Sequence, residues 1–346
     1  MTRASNLAKT GEVTDTGGYG FRNRIINGDM RIDQRNSGSS QSALSNYTYT
    51  VDRWVFTASQ NGKFNSQRNA GSVTPPTGFT NYLGLTVASA FTVGTGDYFF
   101  INQRIEGYNM ADFAWGTTSA KAATLSFWVY SSLTGTFGGS AQNSTPNYTY
   151  PFAYSIPVAN TWTYITVTIP GPTAGTWTSD NTSGIQLNLC LGVSSDTSAT
   201  AGSWTAANKP GTTGAVSVVG TAGATFYITG VQLEAGSIAT AFERRPYGME
   251  LALCQRYYVD SNPGSSTASY TFITYSPSGA GWPVGPVPLQ VTMRAAPSVT
   301  TKNTSLTNCS SLAIGSTFPN YFYGSVTVTA AGSYVVTTNY TASAEL

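Results

Sequence analysis

Apolar and polar positions alternate with a period of two along most of the chain, as in strands that bury one face of a sheet. Residues 124–130 set Leu125, Phe127 and Val129 against Ser126, Trp128 and Tyr130. Residues 161–169 set Ile165, Val167 and Ile169 against threonines and Tyr164. Residues 185–193 put Ile185, Leu187, Leu189 and Leu191 on one face, with Gln186, Asn188 and Cys190 on the other. Residues 23–30, 47–56, 97–105 and 225–233 add strand signals, the first entering an Asn27-Gly28 turn. Gly-, Thr-, Ser- and Pro-rich stretches at 171–180 and 197–213 separate such runs as loops. This spacing predicts an all-β protein, with a jelly-roll-like β-sandwich over 23–240 and a polar, flexible arm at 1–22.

One segment departs from period two. Met249, Leu253 and Tyr257 fall on an i, i+4, i+8 stripe, with Cys254 beside it. Pro246 near the start and Glu250 in an early turn complete a helix predicted over 247–258, within a linker at 241–260. Three turns are marginal alone in water, so the stripe needs a surface to pack on. Met249, Leu253, Cys254, Arg256 and Tyr257 are therefore the candidate oligomer-interface residues. Residues 261–346 carry strand signals at 270–275, 287–293, 325–329 and 334–346. A C-terminal β domain of that size is short of core. A homo-oligomer, with trimeric sharing of the core about its axis, is the expected remedy. No internal repeat marks a solenoid or propeller.

Composition moves the question from fold to chemistry. The 346 residues include no histidine, 17 Lys+Arg, 15 Asp+Glu and three cysteines. Without histidine, Ser-His-Asp and Cys-His arrangements and most zinc or iron sites are out of reach. A glycosidase needs only two acids facing one bond, but the sparse carboxylates nowhere pair in a strand–loop context. No catalytic residue, cofactor or metal is expected, and the protein reads as a non-enzyme. Cys190, Cys254 and Cys309 sit apart in apolar runs or beside turns, as buried reduced thiols do. Charged residues make up 9%, against about 25% in an average domain, and net charge +2 offers no nucleic-acid patch. No apolar run reaches about eighteen residues and the N-terminus lacks a signal peptide's apolar stretch, so neither membrane insertion nor Sec export is expected.

A neutral polar surface on a β scaffold suits carbohydrate, which is held by hydrogen bonds and by stacking on aromatic faces. Trp54, Phe127, Trp128 and Trp162 lie in strand patterns and read as core. The glycan-contact candidates are loop aromatics: Tyr148, Tyr150, Trp177 and Trp204, with Trp282, Tyr321 and Tyr323 as a C-terminal set. If the loop set binds glycan, Trp177→Ala and Trp204→Ala weaken binding and leave the melting temperature nearly unchanged. Arg53, Arg104, Arg244, Arg245 and Arg256 read as interface salt bridges rather than an anion site. Asp180-Asn181-Thr182-Ser183 lacks a calcium-loop spacing and reads as an Asx turn.

Longer motifs carry a resemblance. They are Asn23-Arg24-Ile25-Ile26-Asn27-Gly28-Asp29-Met30-Arg31-Ile32-Asp33-Gln34-Arg35-Asn36, Tyr49-Thr50-Val51-Asp52-Arg53-Trp54 and Ile228-Thr229-Gly230-Val231-Gln232-Leu233-Glu234-Ala235-Gly236. Phe242-Glu243-Arg244-Arg245-Pro246-Tyr247-Gly248, then Glu250-Leu251-Ala252-Leu253-Cys254-Gln255-Arg256-Tyr257-Tyr258, continue the series. Val291-Thr292-Met293-Arg294-Ala295-Ala296-Pro297 and Ala342-Ser343-Ala344-Glu345-Leu346 complete it. Together they resemble a family of tailed-phage and prophage virion proteins of the tail-fibre type. The resemblance implies an often trimeric particle component whose first domain looks like the jelly-roll of carbohydrate-binding modules. On that reading the protein is a bacteriophage short tail fibre or tip, assembled in the host cytoplasm and attaching to host-surface glycan through its β domains. Residues 1–22 would dock on other virion proteins. The alternative is a capsid decoration, cement or baseplate structural protein with no host-binding role.

Overall fold

A computed structural model describes residues 21–276, 282–329 and 332–346, without the side chains of 272–284. The chain divides into two compact units that are not consecutive in sequence. Among the described residues the first holds 21–31, Ser40–Thr50 and Trp54–Arg245; the second holds Ile32–Ser39, Val51–Arg53 and Pro246–Leu346.

In the first unit the strands are β1 (Thr48–Tyr49), β2 (Val55–Ala58), β3 (Phe64–Arg68), β4 (Leu83–Val87), β5 (Tyr98–Glu106), β6 (Ala123–Ser131) and β7 (Gly135–Asn143). There follow β8 (Thr149–Ile156), β9 (Thr163–Ile169), β10 (Ser183–Val193), β11 (Ser198–Ala199), β12 (Gly211–Thr212) and β13 (Thr225–Ala235). They form a six-stranded sheet, β1-β2-β5-β10-β7-β8, and a five-stranded sheet, β3-β4-β13-β6-β9, with a short parallel β11–β12 pair. The result is an all-β, jelly-roll-like sandwich. The alternation sets its core: Leu125, Phe127 and Val129 of β6 and Ile185, Leu187 and Leu189 of β10 are wholly buried. Rings from the two sheets meet there, Phe56 with Phe64 at 5.3 Å and Phe127 with Tyr154 at 5.2 Å.

The polar face of β10 is buried as well. Asn188 donates to Ser140 Oγ at 2.9 Å and to Gln142 Oε1 at 2.7 Å. Gln142 donates to Thr149 Oγ1 at 3.0 Å and to Asn208 Oδ1 at 2.9 Å. A buried polar layer is tolerable because its groups are hydrogen-bonded.

In the second unit the run predicted at 287–293 is strand only as far as Pro288, and in the first unit two predicted strands are different in the structure. Residues 23–30 carry no ladder; the Asn27-Gly28 turn forms, with Met30 N donating to Asn27 O at 3.2 Å. The segment is tied to β13 by two backbone bonds, Arg24 N to Leu233 O at 2.8 Å and Val231 N to Gly28 O at 2.9 Å. Glycine is required by that approach, since a Cβ on Gly28 would lie 2.2 Å from Val231 O. The run at 47–56 is split between β1 and β2 by a turn in which Arg53 has φ 72°.

In the second unit β14 (Tyr258–Asp260), β15 (Tyr270–Ser276), β16 (Trp282–Pro288), β17 (Ser298–Thr307), β18 (Cys309–Phe318), β19 (Tyr321–Val328) and β20 (Gly332–Ser343) form two sheets. The long β20 pairs with β14, β15 and β17; β19 pairs with β16 and β18. Val259, Met293, Phe322, Tyr340 and Ala342 make its main core, and Val326, Val328, Tyr334 and Val336 a smaller one. Ile32 and Val51, from the two inserted segments, are buried.

The inserted segments also bring charge. Arg53 pairs with Glu345 and lies 3.5 Å over the Tyr257 ring. Arg35 sits 2.9 Å from Glu345 and 3.6 Å over Tyr258. Gln34 N donates to Asp52 Oδ1 at 3.0 Å, and its amide donates to Tyr258 O at 2.8 Å.

Helix α1 (Tyr247–Gln255) stops short of the predicted 258, because Tyr258 to Asp260 pair with β20 instead. The predicted stripe is divided as a result. Cys254 and Tyr257 are fully buried inside the unit, Leu253 and Arg256 are half-buried, and Met249 is 43% exposed. Two of the five candidate interface residues are thus used within one chain.

Candidate functional site

Strand alternation that buries Phe127 must turn its neighbours Ser126, Trp128 and Tyr130 to the outer face of the five-stranded sheet. There Trp128 pairs across strands with Tyr164, the two rings 5.2 Å apart. On the next strand, β13 has a bulge between Thr229 and Gln232, and Gly230 sits in it with φ 62°. A Cβ at Gly230 would meet the Phe79 ring at 2.6 Å and Trp128 Cδ1 at 3.2 Å. Glycine therefore provides both the backbone conformation and the open floor between two rings.

The remaining wall comes from two loops. Phe79 and Phe242 meet edge to face at 5.2 Å. The Arg244 guanidinium lies 4.7 Å over Phe79 and 5.5 Å over Phe242. Its two neighbours in sequence are tied down. Glu243 accepts from Arg22 N at 3.1 Å and from Asn23 N at 2.9 Å, and buried Arg245 donates to the Asn23 and Ile25 carbonyls. The alternation then turns Arg244 outward. The rings, Gly230 and Arg244 enclose an open groove of about 350 Å³. Farther along the same face Tyr130 stacks on Tyr227 at 5.3 Å and Tyr227 on Tyr82 at 5.2 Å, with Trp162 against Tyr82 and Tyr130.

The loop aromatics selected from sequence do converge. Around Trp204 lie Tyr148 at 5.4 Å, Tyr150 at 5.3 Å, Trp177 at 5.6 Å and Trp115 at 5.5 Å. Trp115, which sequence reading did not single out, is 6% exposed and anchors the cluster to Phe113. The indole N–H groups are taken by backbone: Trp177 donates to Ala174 O at 3.0 Å and Trp204 to Pro170 O at 2.8 Å. These rings spend much of their surface on one another, so removing Trp204 removes packing as well as any platform. A recess of about 220 Å³ lies beside Trp115 and Trp177.

In the second unit Tyr321 stacks on Phe318 at 4.7 Å and meets Tyr323 at 5.4 Å, at the β18–β19 hairpin end. The Trp282 side chain lies outside the described residues. Of the arginines, Arg53 and Arg245 are held inside their own units as above, Arg104 donates to Gln186 at 3.2 Å, and Arg256 accepts on its carbonyl from Arg294 N at 2.8 Å. Asp180 Oδ1 accepts from Thr182 N at 2.9 Å, an Asx turn. Burial raises the Cys190 thiol to about 12 and lifts Cys254 too, so both are thiols at neutral pH.

The groove was missed because core was assigned to Trp128 from its place in a strand. The signal was present: Trp128 shares the odd-one-out face with Ser126 and Tyr130.

No protein-family model matches the chain, and neither does any curated protein. Among solved structures it is similar to a putative sugar binding protein from Bacteroides thetaiotaomicron, at 12% identity over 62% of this chain and 99% of that one, TM-score 0.35. It is similar to a family 11 carbohydrate-binding module from Clostridium thermocellum in complex with a β-1,3-1,4-mixed-linked tetrasaccharide, at 15% identity over 58% and 98%, TM-score 0.29. A third similarity is to the enzymatically active domain of bacteriophage CBA120 tailspike protein 4, at 12% identity and TM-score 0.31. That match covers 56% of this chain and 21% of the tailspike chain.

Proposed function

We propose that this protein is a non-catalytic, glycan-binding component of a tailed-phage virion, a short tail fibre or tip that contacts the host surface through its β-sandwich. The observation that carries the binding is the groove: an aromatic pair, Trp128 and Tyr164, beside a glycine-floored channel of sugar-sized volume on the outer sheet face. Sugar rings stack their C–H faces on such side chains. Tyr164 is 44% exposed and Trp128 half-buried, so both offer ring surface without forming the core. The lack of histidine and the sparse carboxylates favour binding over hydrolysis. The virion setting is supported by the motifs at 23–36 and 228–258.

The test pairs binding with stability. Trp128→Ala and Tyr164→Ala are expected to lower binding to host cells and to a glycan array at least about tenfold. Stacking on an aromatic face is worth roughly 0.5–1.5 kcal/mol beyond the apolar area it buries, and about 1.4 kcal/mol is tenfold. Melting temperatures should move little. Unchanged binding in both variants would exclude this groove. Immunogold labelling of particles places the protein on tail or shell, and a shell position without host binding would favour the decoration role instead.

A further inference from the structure

We infer that the groove selects a carboxylated sugar, with Arg244 as its specificity-determining residue; this rests on the glycan reading above. In a protein with so few charges, Arg244 is placed at the one location where a cation would meet a ligand stacked on Trp128 and Tyr164. It is exposed, and among the described residues it makes no hydrogen bond or ion pair; its contacts are the Phe79 and Phe242 rings. Asp29 feels its charge, but the Asp29 carboxylate lies 2.6 Å from Arg31 Nε and is committed there. The guanidinium is therefore preorganised against apolar walls while its N–H fork stays unspent.

A neutral sugar gives such a fork nothing that a Gln or Lys would not give. A hexuronic or sialic acid carboxylate does, because it accepts two parallel N–H bonds in the geometry that guanidinium fixes. One cation in the groove implies one acidic substituent per bound segment rather than a polyanion track. Flanking residues support the assignment: Glu243 and Arg245 are both locked to the 22–25 backbone, which fixes where Arg244 emerges.

Matched probes decide it. The intact chain is titrated with oligogalacturonate and its carboxyl-reduced form, and with 3′-sialyllactose and lactose, as wild type, Arg244→Gln, Arg244→Lys and Trp128→Ala. In at least one pair the acidic probe is expected to bind wild type about tenfold or more tightly than its neutral partner, the size of one charge-assisted bonded pair. Arg244→Gln should bring that ratio within about twofold by weakening the acidic probe far more than its neutral partner, and Arg244→Lys should recover part of it. Added salt should weaken the acidic probe alone. Equal binding of acidic and neutral partners by wild type, or a preference that survives Arg244→Gln, overturns the inference and leaves the glycan reading standing. Binding of none of the four probes also overturns the inference, and if nothing on a wider array binds either, the glycan reading falls with it.

Discussion

Asp52 is 1% exposed and lies 3.6 Å from Arg35, yet burial pushes its carboxyl up to about 6. The neighbouring Arg35 and Gln34 lower it, but desolvation is the larger effect. Between the unfolded value near 4 and the folded value near 6, the folded chain holds a proton that the unfolded chain has released. Stability therefore falls as pH rises through that window. Urea unfolding at pH 4.5 and pH 7 should show a loss of about 2 kcal/mol across the interval, at 1.36 kcal/mol for each unit. Asp52→Asn should flatten it, and equal slopes in both proteins would show that Asp52 is not the group responsible. Nothing in the local sequence Val51-Asp52-Arg53 announces this, because its partners Gln34 and Arg35 and the rest of the unit it is buried in lie elsewhere in the chain. Arg244 teaches the same lesson. From sequence it reads as an interface salt-bridge residue, whereas in the fold its guanidinium lies over Phe79, a loop residue far from it in the chain.

At the level of elements, what was legible followed from period two. β6, β9, β10 and β13 were readable to within a residue or two because each alternates apolar and polar positions over most of its length. β7 was not: its Gly135-Thr136-Phe137-Gly138-Gly139-Ser140-Ala141-Gln142-Asn143 buries polar atoms under a covering loop, so its sequence carries no apolar face to see. β17 and β18 escaped for the opposite reason, being largely exposed on both faces and rich in Ser and Thr. The helix was found but overextended, since an i, i+4, i+8 count cannot sense that Tyr258 to Asp260 complete a sheet. Its residues should now separate cleanly. Tyr257→Ala removes a fully buried ring under Arg53 and should cost about 3–5 kcal/mol in denaturant unfolding. Met249→Ala, at an exposed position, should stay within about 0.5 kcal/mol. A comparable loss at Met249 would point to a covered surface there, and light scattering of Met249→Glu would then show whether a second copy provides it.

Across the whole molecule the linear reading of a sandwich, a linker and a small C-terminal domain meets an interleaved chain. Ile32–Ser39 and Val51–Arg53 leave the sandwich sequence to join Pro246–Leu346 in one compact unit. This bears on why a small β unit can hold together. The inserted segments add two buried apolar side chains, Ile32 and Val51, and the guanidinium groups that cover Tyr257 and Tyr258 and neutralise Glu345. Without them half-buried Glu345 loses both of its cations. Self-association is then no longer the sole physical remedy for a small core, although a trimer remains compatible with it. Residues 246–346 expressed alone should therefore show no cooperative thermal transition and poorly dispersed amide resonances, whereas the full chain unfolds cooperatively. A sharp melt of the fragment at the midpoint of the intact protein would show that the insertions decorate this unit rather than complete it.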